Sequence, residues 1–179
     1  MQSIIFKIIK KFPPEISHVI ILKLLKFYSN SWRTFEDPSL IQHIFSLDFK
    51  NPIGLAAGFD KNAEVINSLF NFGFGFVEVG TVTPKPQYGN EKPRIFRLKE
   101  DSAIINHLGF NNKGSEYVKK KLKKLNVNPL SNRIVGINIG MNKETKNYID
   151  DYNYCLEKLG PLAHYVTINI SSPNTPGLR

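Results

Sequence analysis

The chain has 179 residues, 41% of them hydrophobic, which is enough for one domain with a real core and excludes a disordered segment. Its single cysteine, Cys155, excludes an internal disulfide and any multi-cysteine metal site, and fits a reducing compartment. The formal charge of +9 admits nucleic acid, anionic lipid or a small anion as partner without choosing among them.

Two apolar, lysine-bearing helical patterns come first, Ile4 to Phe12 and Ile16 to Tyr28, separated by Pro13-Pro14. Neither has the roughly twenty apolar residues of a transmembrane helix, and lysines interrupt the run that a secretory signal would need. Over residues 1–31 they form a helical hairpin. It either lies on an anionic membrane surface or caps the bottom of the main domain with its apolar face. Residues 32–50 read as a linker and a barrel-bottom strand, with a short edge strand or hairpin at Ile44 to Asn51.

From Asn51 onward short apolar strands alternate with helical patterns. Strands are expected at 51–61, 74–83, 133–140 and 165–170, and helices at Ala63 to Phe72, Ser115 to Leu125 and Tyr148 to Leu159. This order predicts an α/β fold with a parallel sheet, whose active site gathers at the strand C-termini. Each strand does end in ligand-binding chemistry: Gly58, Asp60 and Lys61; Gly80 and Thr81; Asn138 and Gly140; Asn169, Ser172 and Asn174. The lysines of 119–124 fall opposite an apolar stripe of Val118, Leu122 and Leu125. They read as a solvated face, and without interleaved aromatics they predict no nucleic-acid partner. Cys155 sits in a helical pattern and reads as a packed, inert thiol.

Gly54, Ala56, Ala57 and Gly58 let a planar ligand such as an isoalloxazine approach the backbone, or else simply pack tightly. Lys61 offers a charge for a reduced flavin or a substrate carboxylate, or is solvated. Residues 81–97 hold prolines and a Gly-Asn turn, so a stiff functional loop is expected there. The cluster Asn106-His107-Leu108-Gly109-Phe110-Asn111-Asn112 supplies amides able to read a uracil-like edge. His107 reads as a second-layer or surface residue, or as a general base.

These segments, above all Asn-Pro-Ile-Gly-Leu-Ala-Ala-Gly-Phe-Asp-Lys at 51–61 and Asn-Ile-Ser-Ser-Pro-Asn-Thr-Pro-Gly-Leu-Arg at 169–179, resemble dihydroorotate dehydrogenase, and the N-terminal hairpin resembles its membrane-associated, quinone-dependent class 2. The resemblance covers nearly the whole chain. It implies the N-terminal portion of a (β/α)8 TIM barrel preceded by a helical hairpin, with residues 51–179 as the first half of an FMN-binding barrel that lacks the usual phosphate site. It implies FMN against Ala57, Gly58, Phe59, Asp60 and Lys61, with further flavin contacts at Thr81, Asn138 and Asn169. Substrate contacts are implied at Lys61, at Asn106, His107, Leu108, Gly109 and Phe110, and at Asn169 and Asn174. Ser172 matches the catalytic base, where class 1 relatives carry cysteine. His18 and Arg97 match polar positions of the quinone tunnel. His107 departs from the pattern, since many relatives have arginine there. The implied partners are dihydroorotate and orotate, a membrane quinone and an anionic membrane surface, with no metal. The implied location is the cytoplasmic face of a bacterial inner membrane or, alternatively, the mitochondrial inner membrane. Two rival readings remain: a non-catalytic membrane-binding half-barrel, and another flavin barrel that reduces pyrimidines.

Overall fold

A computed structural model describes residues 7, 9–28, 37–125 and 133–172. Four parallel strands form the central sheet: β3 (Gly54–Leu55), β4 (Phe76–Val82), β7 (Ile134–Ile139) and β8 (Tyr165–Ile168), hydrogen-bonded in that order. The helices α2 (Ile66–Phe70), α3 (Ser115–Leu125) and α4 (Tyr148–Leu159) connect them in turn. The strand order follows the chain order without reversal, as in a barrel and unlike an open doubly wound sheet.

Period-two alternation explains how one sheet serves both core and site. Val77 and Val79 of β4 and Val135, Ile137 and Ile139 of β7 join a buried core with Ile66, Leu69, Val118, Leu122, Cys155 and Leu159 of the helices. The intervening residues Glu78, Gly136 and Tyr165 share one row across the opposite face, by register. Gly136 is required in that row, because a Cβ there would lie 2.1 Å from Cζ of Tyr165. Helix α3 buries Val118 and Leu122 as expected, and Lys120, Lys123 and Lys124 are exposed. Cys155 is fully buried, and burial pushes its thiol up to about 12, so it is inert as expected.

Both α3 and α4 have the expected limits, whereas α2 is shorter than the pattern at 63–72. The Asp60 carboxylate explains the late start: it accepts from the backbone N–H groups of Asn62, Glu64 and Val65 and holds them in a turn. β3 is likewise only two residues long, since the chain leaves the sheet at Ala56 for the turns that carry Lys61. The stiff loop expected over 81–97 and the polar cluster after it are joined by an antiparallel hairpin, β5 (Ile95–Leu98) with β6 (Ala103–Asn106). Its strands are four residues each, too short for alternation to stand out beside three prolines.

A second hairpin, β1 (Gln42–Ile44) with β2 (Leu47–Phe49), starts slightly earlier than expected. Phe49 meets Phe76 edge-on at the N-terminal end of β4, which puts this hairpin at the bottom of the sheet. Helix α1 (Pro14–Lys26) begins with proline in its first turn and ends with Lys23 and Lys26, matching the helix dipole. Its face of Ile21, Leu22 and Leu25, with Tyr28 just past its end, packs against the core. Its other stripe, Ile16, Val19, Leu24 and Phe27, is exposed. Residues 4–6 and 8 of the expected first helix over 4–12 lie outside the described residues, as do residues 29–36 and the tail from Pro173. Among the described residues no helix is long and apolar enough to cross a membrane.

Glu64, in the turn before α2, fastens α1 and α3 to that turn. Its carboxylate takes Lys113 Nζ at 2.7 Å, Tyr117 OH at 2.8 Å and Lys26 Nζ at 3.2 Å. Burial opposes its charge, but the hydrogen bonds from Lys113, Tyr117 and Lys26 outweigh that and bring its pKa to about 2. Since the folded pKa lies below the unfolded 4.5, this contribution to stability is present above about pH 4.5 and is lost as pH falls toward about 2. Glu64→Gln should therefore flatten the acid limb of a stability curve measured by denaturant melts from pH 7 to 3. At neutral pH it should cost about 1–3 kcal/mol, as for a lost hydrogen-bonded charge. An unchanged acid limb would contradict this role.

Candidate active site

At the C-terminal ends of the strands, residues from five separate segments line one cavity of about 460 Å³: the 56–61 turn, β4, the 106–110 segment, β7 and the 169–172 segment. Ala56, Ala57 and Gly58 leave one wall flat. Gly58 has φ +111° and a Cβ on it would meet nothing nearer than Lys61 Nζ at 3.9 Å, so any side chain there would project into the open space.

Lys61 Nζ donates to the Gly58 carbonyl at 2.5 Å, beside that wall. Burial, and then the nearby Arg94 guanidinium, lowers its pKa to about 8, which leaves a mostly protonated but poorly solvated ammonium at neutral pH. Such a charge is poised to meet an anionic ligand.

Across the cavity Thr81, Asn138 and Asn169 form a closed set of hydrogen bonds. Thr81 Oγ1 donates to Asn138 Oδ1 at 2.6 Å, and Asn169 Nδ2 donates to Asn138 Oδ1 at 3.1 Å and to Thr81 Oγ1 at 3.0 Å. The backbone of Asn169 is fixed from both sides, by its N–H on the Ile139 carbonyl and by Tyr152 OH on its own carbonyl. Ser172 lines the cavity three residues on. A cation, several amides and a hydroxyl thus surround a space with one flat apolar wall, an arrangement suited to a planar ligand with a polar, anionic edge.

The model of the dihydroorotate dehydrogenase family matches residues 39–179. The chain belongs to the dihydroorotate dehydrogenase family. It is 54% identical over 169 residues to the dihydroorotate dehydrogenase (quinone) of Bartonella tribocorum, covering 93% of this chain and 45% of that protein. With the enzyme of the same name from Novosphingobium aromaticivorans it shares 49% identity over 180 residues, covering 99% of this chain and 51% of that protein. The crystal structure of Eimeria tenella dihydroorotate dehydrogenase in complex with ferulenol superimposes with a TM-score of 0.89 at 45% identity, covering 99% of this chain and 50% of that one. The chain therefore spans about half the length of the relatives it matches, and its fold is that portion of the family's barrel.

Against the positions implied by the family, the structure brings together Ala57, Gly58, Lys61, Thr81, Asn106, Leu108, Gly109, Phe110, Asn138, Asn169 and Ser172 around the one cavity. Three expected side chains point elsewhere. Asp60 is buried beneath the turn as the backbone acceptor described above; burial raises its pKa and those N–H groups oppose the rise. Phe59 turns to α1, where its ring meets His18 edge-on at 5.2 Å. His107 stacks on Phe96 of the hairpin at 5.7 Å and is not among the residues that line the cavity. Asn174 lies outside the described residues.

His18 and Arg97 both sit where the N-terminal segment meets the sheet. The Phe59 carbonyl can only accept, so His18 Nε2 carries the proton and donates to it at 2.6 Å. Burial lowers the pKa of His18 despite that bond, and the charge of Lys61 adds to the lowering. Arg97 Nη1 donates to the carbonyls of Lys10 and Phe12, each at 2.8 Å, and Nη2 to Ser17 Oγ at 3.1 Å, so it ties the end of the first N-terminal segment to α1.

Two residues of the site region were not singled out from the sequence. Arg94 is 5% exposed and holds the Tyr88 and Asn90 carbonyls and the Glu15 carboxylate, joining the loop to α1. Glu78 lines the cavity itself. An acidic residue between Val77 and Val79, in a strand whose neighbours are buried apolar, was the available signal.

Proposed function

We propose that the complete protein oxidises dihydroorotate to orotate with FMN as its redox group and a membrane quinone as electron acceptor, in pyrimidine biosynthesis. The observation that carries this reading is the meeting of Lys61, Asn106, Asn169 and Ser172 on one cavity with a flat wall of Ala56, Ala57 and Gly58. That wall fits a flavin ring, because its residues are small and a side chain at Gly58 would project into the open space beside it. Ala57 and Gly58, with Thr81, Asn138 and Asn169, would hold the ring. When bound, FMN supplies an acceptor for the hydride leaving substrate C6.

The chain's own residues supply the remainder. Lys61 offers its ammonium to the substrate carboxylate, in surroundings where burial strengthens the attraction. Asn106 presents donor and acceptor together to the pyrimidine edge, Asn169 lines the cavity beside it with its amide held by Thr81, Asn138 and Ser171, and Asn174 belongs to the same set by sequence. Ser172 takes the proton from C5. A hydroxyl is a weak base, so its own proton must pass to water or to a neighbouring acceptor as it does so.

The quinone end rests on α1. A cleft of about 620 Å³ opens where its Pro13, Ile16, Val19 and Ile20 face Pro93 and Ile95, large enough for an apolar ring. The exposed stripe of Ile16, Val19, Leu24 and Phe27, flanked by Lys23 and Lys26, suits a helix lying in an anionic headgroup layer. In this reading the protein is a peripheral protein of a membrane surface.

Orotate formation in the protein expressed from its complete reading frame tests the reading, with a long-chain quinone in vesicles and with a soluble dye as alternative acceptors. Turnover is expected with both. The double variant Val19→Glu, Leu24→Glu leaves the packed face of α1 intact. It should lower vesicle binding and quinone turnover about tenfold or more, since each charge opposes insertion, while dye turnover stays within about twofold. Equal losses with both acceptors would show that α1 serves only as a cap.

A further inference from the structure

The residues given a task in the reaction leave one charged group of the cavity wall without one. Glu78 stands in the middle of β4, in the row with Gly136 and Tyr165. Its Oε1 accepts from Asn138 Nδ2 at 2.8 Å, its Oε2 accepts from Thr167 Oγ1 at 2.9 Å, and the Tyr165 hydroxyl also hydrogen-bonds to it.

An ionised carboxylate can only accept, and that fixes the polarity of everything attached to it. Asn138 must turn its NH₂ toward Glu78, so its Oδ1 faces the cavity side and takes the Thr81 hydroxyl and the Asn169 NH₂. With its NH₂ committed there, Asn169 must present its Oδ1 in the other direction. That oxygen accepts from Ser171 N at 3.2 Å and from Ser171 Oγ at 3.0 Å. Ser171 is bonded to Ser172. A single acceptor-only group thus sets two amide orientations in series and ends at the turn that carries the candidate base.

We propose that Glu78 is a positioning residue, whose carboxylate fixes the orientation of Asn138 and Asn169 and, through Ser171, the placement of Ser172. The part concerning Ser172 rests on the function proposed above. The part concerning the amides rests on hydrogen-bond polarity alone. Glu78 need not touch substrate for either.

A reciprocal exchange tests it. In Glu78→Gln the carboxamide keeps its oxygen on the Asn138 NH₂ only by turning its own NH₂ toward Thr167 and Tyr165, whose hydroxyls must then change from donors to acceptors. In Asn138→Asp two carboxylates meet at hydrogen-bond distance. The double variant Glu78→Gln, Asn138→Asp restores every pairing. The NH₂ introduced on β4 donates to the new carboxylate, which still accepts from Thr81 and Asn169, while the introduced amide oxygen accepts from Thr167 and Tyr165.

Two readouts on the complete protein are needed. For the flavin-free protein, the double variant should melt higher than the sum of the two single effects predicts. For the flavin-loaded protein, Glu78→Gln should slow flavin reduction by dihydroorotate on the order of tenfold to a hundredfold, the usual effect of removing an outer hydrogen-bond partner, with kcat falling more than KM rises. The double variant should reduce faster than either single variant. Additive melting shifts, or wild-type reduction rates in Glu78→Gln, would overturn the proposal. If a single variant fails to fold, a folded double variant supports the polarity argument and an unfolded one overturns it. A wild-type protein that leaves dihydroorotate unoxidised would sink the proposed function instead, and the melting comparison would still decide the role of Glu78 toward the amides.

Discussion

Ser172→Ala in the complete protein is expected to slow flavin reduction by dihydroorotate between about a hundredfold and ten-thousandfold, the range for loss of a positioned base. The flavin should remain bound. Ser172 lines the cavity, yet the wall suited to the ring is built by Ala56, Ala57 and Gly58 on another segment, and the ring's polar partners are Thr81, Asn138 and Asn169. Removing one hydroxyl leaves all of these in place. Anaerobic rapid mixing, followed by flavin absorbance, separates the two effects. Wild-type rates in the variant would remove Ser172 from the chemistry, and loss of the flavin would assign it to the cofactor pocket.

Lys61→Met should weaken dihydroorotate binding about tenfold to a hundredfold, as for the loss of a charge-assisted hydrogen bond. The pH dependence is more diagnostic than the magnitude. Burial and Arg94 bring the ammonium's pKa to about 8, so in the free protein the positive charge is present below about pH 8 and is lost above it. Wild-type affinity for the anionic substrate should therefore decline as pH rises through about 8, and the variant's affinity should not. Stability moves the opposite way. The folded pKa lies below the unfolded value of 10.5, so between about pH 8 and 10.5 the unfolded chain binds more protons and wild-type stability rises with pH relative to the variant. Substrate titrations and denaturant melts at pH 7, 8 and 9 measure both trends. Parallel pH profiles for wild type and variant would show that Lys61 is not the anion's partner.

Much of this arrangement was legible because two independent patterns coincide in the sequence. Apolar spacing set the limits of α3 and α4, and the polar residue after each apolar run marked where the strands deliver side chains to the cavity. What escaped was set by partners distant in sequence. The β5 and β6 hairpin has strands too short to show alternation, and Arg94 beside it and Arg97 within it reach back to α1, about eighty positions away in sequence. Asp60 sits inside the most specific motif of the chain, yet its side chain serves the turn, because three backbone N–H groups need an acceptor there. Phe59 and His107 are adjacent to lining residues but pack on partners distant in sequence, Phe59 against His18 of α1 and His107 against Phe96 of β5. Glu78 carried one signal, an acidic residue between β-branched neighbours that announce a core strand, and the pairing register adds that it shares a row with Gly136 and Tyr165.

The reaction of the flavin-loaded complete protein with dihydroorotate, in the absence of oxygen and quinone, tests the proposed chemistry most directly. The flavin absorbance should bleach in a single turnover, with one orotate formed for each flavin reduced, and later addition of quinone should restore the spectrum. A protein that holds flavin but keeps an oxidised spectrum under saturating dihydroorotate would contradict the assignment.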